Sequence, residues 1–108
     1  MPTSPLKPHL IILKSNGDCT SEGLSKPPDL AKLQSAVAGH IELVPAFDRY
    51  MSMPCVVFCN EEGKLHGLPM NVIATRAWMQ CNGGGPLNDV LVGDIAIICG
   101  PKSFLERL

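Results

Sequence analysis

Apolar and polar positions along this 108-residue chain fall into short runs with two different periods. His9-Leu10-Ile11-Ile12-Leu13-Lys14 is an apolar, β-branched run that stops at Ser15-Asn16-Gly17-Asp18. Asn-Gly is a strong hairpin signal because both residues accept positive φ, so Cys19 to Leu24 is expected to return as a polar strand at a sheet edge. His40 to Pro45 alternates apolar and polar residues until proline removes a ladder donor, which predicts a half-buried strand. Residues 46 to 54 read as a connection. Pro54 to Asn60 is apolar on both faces, the pattern of a central strand covered on both sides. Glu61-Glu62-Gly63-Lys64 predicts a tight turn with Gly63 at positive φ and a short return from Leu65. The last strand runs from Asp89 to Cys99, interrupted at Gly93-Asp94 by a bulge or bend.

Two segments carry the helical period. Asp29 is placed to cap a helix over residues 30 to 38, in which Leu30, Leu33 and Val37 share a face and Gly39 ends the helix in the left-handed region. Asn71 caps a second helix of about two turns from Val72, with Ile73, Ala77 and Cys81 on one side. Asn82-Gly83-Gly84-Gly85-Pro86 is expected to be a loop. The expected architecture is α+β: a mixed, mainly antiparallel sheet of about five strands with two short helices on one face. Residues 1–8, three of them proline, are expected to form a flexible tail, and residues 9–108 a single domain. Two short helices look insufficient for strands that are apolar on both sides, so a homo-oligomer, in the simplest case a dimer, is expected.

Charge narrows the function classes. Nine Lys and Arg stand against ten Asp and Glu, a net charge of -1, and the basic residues are scattered singly. Nucleic-acid affinity rests on clustered cations, so no DNA or RNA partner is expected. The start Met1-Pro2-Thr3-Ser4-Pro5 lacks the basic and apolar regions of a signal peptide, and the apolar stretch Val90 to Cys99 is too short to span a bilayer. A cytoplasmic protein without a membrane partner is therefore expected. Five cysteines, at 19, 55, 59, 81 and 99, are an odd number and read as reduced thiols that pack as small hydrophobes.

Candidate chemistry is sparse. Cys55 and Cys59 lie on an extended strand, roughly 13 Å apart at about 3.3 Å per residue, and not on the turn that a zinc clip uses, so no metal is assigned. No elbow or similar local motif flanks a Cys or Ser, and His9, His40 and His66 sit at strand starts or turns, so neither a catalytic residue nor a cofactor is assigned. Gly83-Gly84-Gly85 lacks the Gly-Lys-Ser/Thr of a phosphate loop, although three glycines can form a nest of amides; a plain loop is the simpler reading. Asn71 is most simply a cap, and Asn60, Glu61 and Glu62 are most simply hairpin residues. Arg76 projects from a short helix whose N-terminus favours anions. The candidate ligand site is therefore Asn71, Thr75 and Arg76, approached by Gly83, Gly84 and Gly85.

Several segments together carry a resemblance: His40 to Pro45, the hairpin Asn60 to Leu65, Gly67-Leu68-Pro69-Met70-Asn71 followed by Ala74-Thr75, and Val92-Gly93-Asp94 with Gly100. Over about residues 28 to 101 the chain resembles domain of unknown function 3846, small proteins of phages, plasmids and bacterial accessory regions. It departs from the family pattern in its longer N-terminal hairpin segment and in the glycine loop. The resemblance implies an accessory role on a mobile element and supplies no activity or binding residues. Three functions are weighed. The first is a non-enzymatic protein that sequesters a small anionic molecule, a nucleotide-derived signal being one candidate, and so blunts a host defence. The second is a protein-interaction module that inhibits a host protein through an exposed edge strand or apolar patch. The third is a small hydrolase. A polar-lined pocket, an exposed edge or patch, and a nucleophile within reach of a base would distinguish them.

Overall fold

The computed structural model describes residues 7–83 and 89–108. Its first two strands, β1 (His9–Leu13) and β2 (Cys19–Gly23), form the expected hairpin. The turn is wider than two residues: Lys14 N donates to Asp18 O, Gly17 N to Lys14 O, and positive φ falls on Gly17 alone. That is a type I turn followed by a left-handed residue. Every residue of β2 is exposed, as an edge strand of Thr, Ser and Glu should be. Pro8, assigned to the tail, accepts from Leu24 N and extends the pairing by one step.

Helix α1 (Leu30–Val37) begins where Asp29 accepts from Lys32 N, and it buries Leu33 and Val37. Its left-handed terminal residue is Ala38, not Gly39. Asn60 explains why a glycine follows. Its Nδ2 donates to the carbonyls of Val37 and Ala38, so the side chain caps the helix end, and a Cβ on residue 39 would lie 2.6 Å from that nitrogen.

The remaining strands are β3 (Ile41–Leu43), β4 (Arg49–Tyr50), β5 (Met53–Asn60) and β6 (Ile95–Cys99), with helix α2 (Val72–Cys81) before β6 and a single turn α3 (Lys102–Leu105) after it. They complete a six-stranded sheet in the order β2-β1-β6-β5-β3, with β4 paired to β5. Each pairing among the described residues is antiparallel. Strand β4 occupies the stretch read as a connection, and α3 carries no apolar period long enough to be read in advance.

The helices do not share a face. Ile95, Ile97 and Cys99 pack with Ala74 and Trp78 of α2, whereas Ala96 and Ile98 pack with Leu33 and Val37 of α1 and Phe104 of α3. The alternation of β6 therefore feeds two cores, one on each side of the sheet. Full burial of an Ile side chain is worth about 1.5–3 kcal/mol, so three such residues in one strand are a large share of a small domain's stability. One chain thus covers both sides of its central strands, and the crowding argument for a second copy loses its premise.

Two further expectations change. Gly63 is not at positive φ; it is small because a Cβ there would meet Val92 Cγ2 at 2.9 Å, and the positive φ of this segment sits at Gly67. No strand starts at Leu65, and the segment 89–94 precedes β6 instead of belonging to it, touching Met70 through a single bridge to Val92. The β4–β5 hairpin turns on Met51 and Ser52, both left-handed at φ 49° and 65°. This is a two-residue turn of the mirror-image type, which favours Asn-Gly, and a residue with a Cβ costs about 1–2 kcal/mol in that conformation. Met51→Asn combined with Ser52→Gly is expected to stabilise the protein by about 1 kcal/mol, read as a higher urea midpoint at unchanged slope.

Candidate functional site

Among the described residues selected from the sequence, Asn71, Thr75, Arg76 and Gly83 do not converge. Asn71 is 1% exposed, and its amide is fully engaged: Oδ1 accepts from Ala74 N at 3.0 Å, while Nδ2 donates to Leu13 O at 2.8 Å and Gly93 O at 2.9 Å. Thr75 is 4% exposed; its Oγ1 accepts from Leu91 N at 3.0 Å and donates to Leu91 O at 3.4 Å. Both side chains point inward and bond to backbone. Arg76, one residue on, is exposed on the outer face of α2 and forms no ion pair among the described residues. Gly83 follows the far end of a ten-residue helix, about 15 Å from its start at about 1.5 Å per residue, so it cannot approach the helix N-terminus. Gly84 and Gly85 lie outside the described residues.

What the fold builds instead is a cleft of about 160 Å³ beside β3 on the α2 side of the sheet. Its floor contains Trp78 and Cys59, one wall is β3 with Glu42, and the other is the segment 89–92. Trp78 is set by its indole N–H, which donates to Pro45 O at 2.8 Å. Glu42 pairs across the ladder with Cys59, so both side chains emerge on the cleft face. The opposite wall is held by Thr75 through Leu91 and by Asn71, whose backbone N–H donates to Leu91 O at 2.7 Å.

The electrostatics of this cleft are acidic. Glu42, Glu61 and Asp89 line it with Lys64, and Lys64 is engaged by Asp89 in an ion pair. Among the described residues neither Glu42 nor Glu61 has a cationic partner. Burial pushes the Cys59 thiol up, and the Glu42 carboxylate adds to that shift. Burial likewise raises Cys55 to about 12 and Cys99 to about 11, so these thiols are protonated at neutral pH and are poor nucleophiles. No group of three or more His, Cys, Asp or Glu among the described residues is arranged to hold a metal ion. No helix among them is long and apolar enough to cross a membrane.

Sequence reasoning missed the cleft residues for a definite reason. Alternation along His40 to Pro45 does put Glu42 and Val44 on one face, but the pairing of Lys64 with Asp89 spans 25 positions and leaves no local signal.

A family model described as Domain of unknown function (DUF3846) matches residues 8–104. The match reaches back across the β1–β2 hairpin, which the resemblance over about residues 28 to 101 left outside. No curated protein and no solved structure matches the chain.

Replacing the Asn71 amide tests its part in the frame. Asn71→Ala is expected to cost roughly 3 kcal/mol, since it removes a cap worth about 1 and strands two buried carbonyls at about 1 each or more. Asn71→Asp preserves the cap acceptor and loses both donors, so it too should lower the urea midpoint markedly. A wild-type midpoint for the Asp variant would show that only the cap matters.

Proposed function

The chain belongs to the family Domain of unknown function (DUF3846), and from that premise we propose that it is a non-enzymatic accessory protein that binds a protein partner at the free edge of β3 and the cleft beside it. The observation that carries this reading is the edge itself, which no strand pairs among the described residues. Strand β3 ends the sheet order, and Leu43 within it is 58% exposed. Val90, on the opposite wall of the cleft, is 38% exposed. Unpaired strand edges are where proteins add a strand from another chain, and short ones with flanking pockets read side chains as well. As an accessory protein of the phage or plasmid type, it acts by occupying a host protein.

Two observations weigh against the other readings. The cleft carries three carboxylates and one already engaged cation, a poor setting for an anionic ligand, and the polar atoms of Asn71 and Thr75 are committed to backbone. Its only thiol is held protonated, which disfavours nucleophilic chemistry.

A photo-crosslinking residue in place of Leu43, expressed in the cell of origin, is expected to trap a discrete protein adduct, whereas the same residue in place of Thr20 on the β2 edge traps none. Absence of an adduct at Leu43, together with thermal stabilisation by mono-, di- or cyclic nucleotides that is lost in Arg76→Ala, would reverse the choice in favour of anion sequestration.

A further inference from the structure

The hydrogen-bond phase of β3 determines what its edge offers. Glu61 N donates to His40 O and Val44 N to Val57 O, so residues 40 and 44 form hydrogen-bonded pairs with β5. Antiparallel ladders alternate, which makes Glu42 and Cys59 the hydrogen-bonded pair between them. The backbone N–H and C=O of Ile41 and Leu43 therefore point away from the sheet. An antiparallel segment laid on this edge bonds to Ile41 and Leu43, and its residue opposite Glu42 falls in a non-hydrogen-bonded pair, where side chains stand closest, about 4.5 Å between Cα atoms. That residue's side chain emerges on the same face as Glu42, beside the cleft.

We propose that the partner is an extended basic segment that extends the sheet at β3 and places a Lys or Arg side chain opposite Glu42, with Glu61, on the same face of the sheet and also lining the cleft, as a second carboxylate. The inference rests on the partner-binding reading above and supplies its chemistry. Charge complementarity selects this occupant: Glu42 and Glu61 have no cation of their own among the described residues, and Lys64 is occupied by Asp89. The cleft, at about 160 Å³, has room for one such side chain, and Trp78 at its floor adds an aromatic surface that suits a cation.

A second copy of this chain does not fit the edge. Symmetric pairing of β3 with β3 sets Glu42 against Glu42, and like charges directly opposite are destabilising. The other edge strand, β2, has the sequence Cys19-Thr20-Ser21-Glu22-Gly23, and its one carboxylate, Glu22, is already paired with Lys32, so it offers a basic segment no free charge. Self-pairing at the β3 edge is thus disfavoured, a known means of preventing self-association, while β3 stays open to a segment of opposite sign.

The test is a ¹⁵N NMR titration of the full chain with two synthetic peptides, Thr-Val-Thr-Lys-Thr-Val-Thr and the same peptide with Glu at its centre. The Lys peptide is expected to bind about tenfold tighter, to shift the Ile41 and Leu43 amides and slow their exchange, and to lose its advantage in 0.5 M salt, as a rim charge pair must. Glu42→Lys should reverse the preference between peptides, and Glu42→Gln should reduce it to what Glu61 supplies; both replace an exposed side chain, and ¹⁵N spectra of the free variants check the fold. Equal binding of both peptides at Ile41 and Leu43 would overturn the basic-segment inference while leaving the edge as a binding site. No binding of either peptide at millimolar concentration, or shifts confined to other surfaces, would overturn it as well; an adduct at Leu43 in the crosslinking experiment would then mark a partner of different chemistry.

Discussion

The fold depends on one buried amide. Asn71 joins three pieces of chain: the end of β1 through Leu13 O, the approach to β6 through Gly93 O, and the start of α2 through Ala74 N. Three satisfied bonds in a site that water does not reach are strong, and a half-satisfied version would be worse than an apolar contact. Thr75, one turn along the same helix, repeats the device on Leu91. Together with the backbone bonds of the Met70–Val92 bridge they pin an irregular segment, 89–93, that belongs to no strand. The opposite wall of the cleft is therefore a product of helix capping, and the cleft exists because α2 reaches across to it.

A second amide plays the corresponding part on the other side of the sheet. Asn60 stands at the end of β5, donates to the last carbonyls of α1 and accepts from Glu62 N. The two asparagines thus tie each helix to the strands it covers at a helix terminus, where backbone groups lack partners of their own. Packing supplies most of the stability, but it is non-directional; these amides set where each helix sits.

How far the chain could be read in advance follows from the range of each signal. Short-range signals were legible: the apolar runs of β1, β5 and β6, the Asn16-Gly17 turn region, and the caps Asp29 and Asn71 are all where pattern and turn chemistry put them. The α+β class followed from those elements. The side of the sheet on which each helix packs was not legible, because the strict alternation of β6 serves either arrangement; Ile97 and Ile98 are equally apolar and face opposite cores. The candidate site suffered from a related ambiguity. Asn71 and Thr75 are polar residues near a helix start, and the sequence cannot distinguish a polar group that awaits a ligand from one that is spent on a carbonyl 58 positions away. Glu42 was visible only as a strand residue; its importance comes from β3 being last in the sheet, which is a fact of topology.

The place of β6 in the sheet has a consequence for how the protein is made. This strand pairs with β1 on one side and with β5 on the other, so the hairpin from the beginning of the chain and the meander from its middle have no direct connection until residues 95–99 are present. On the ribosome, residues 95–99 must emerge before the two halves can close around their shared centre. Until then β1 and β5 each show an unpaired apolar edge to the cell, a state in which domains with long-range pairing recruit chaperones or aggregate. Assembly thus waits for the synthesis of β6.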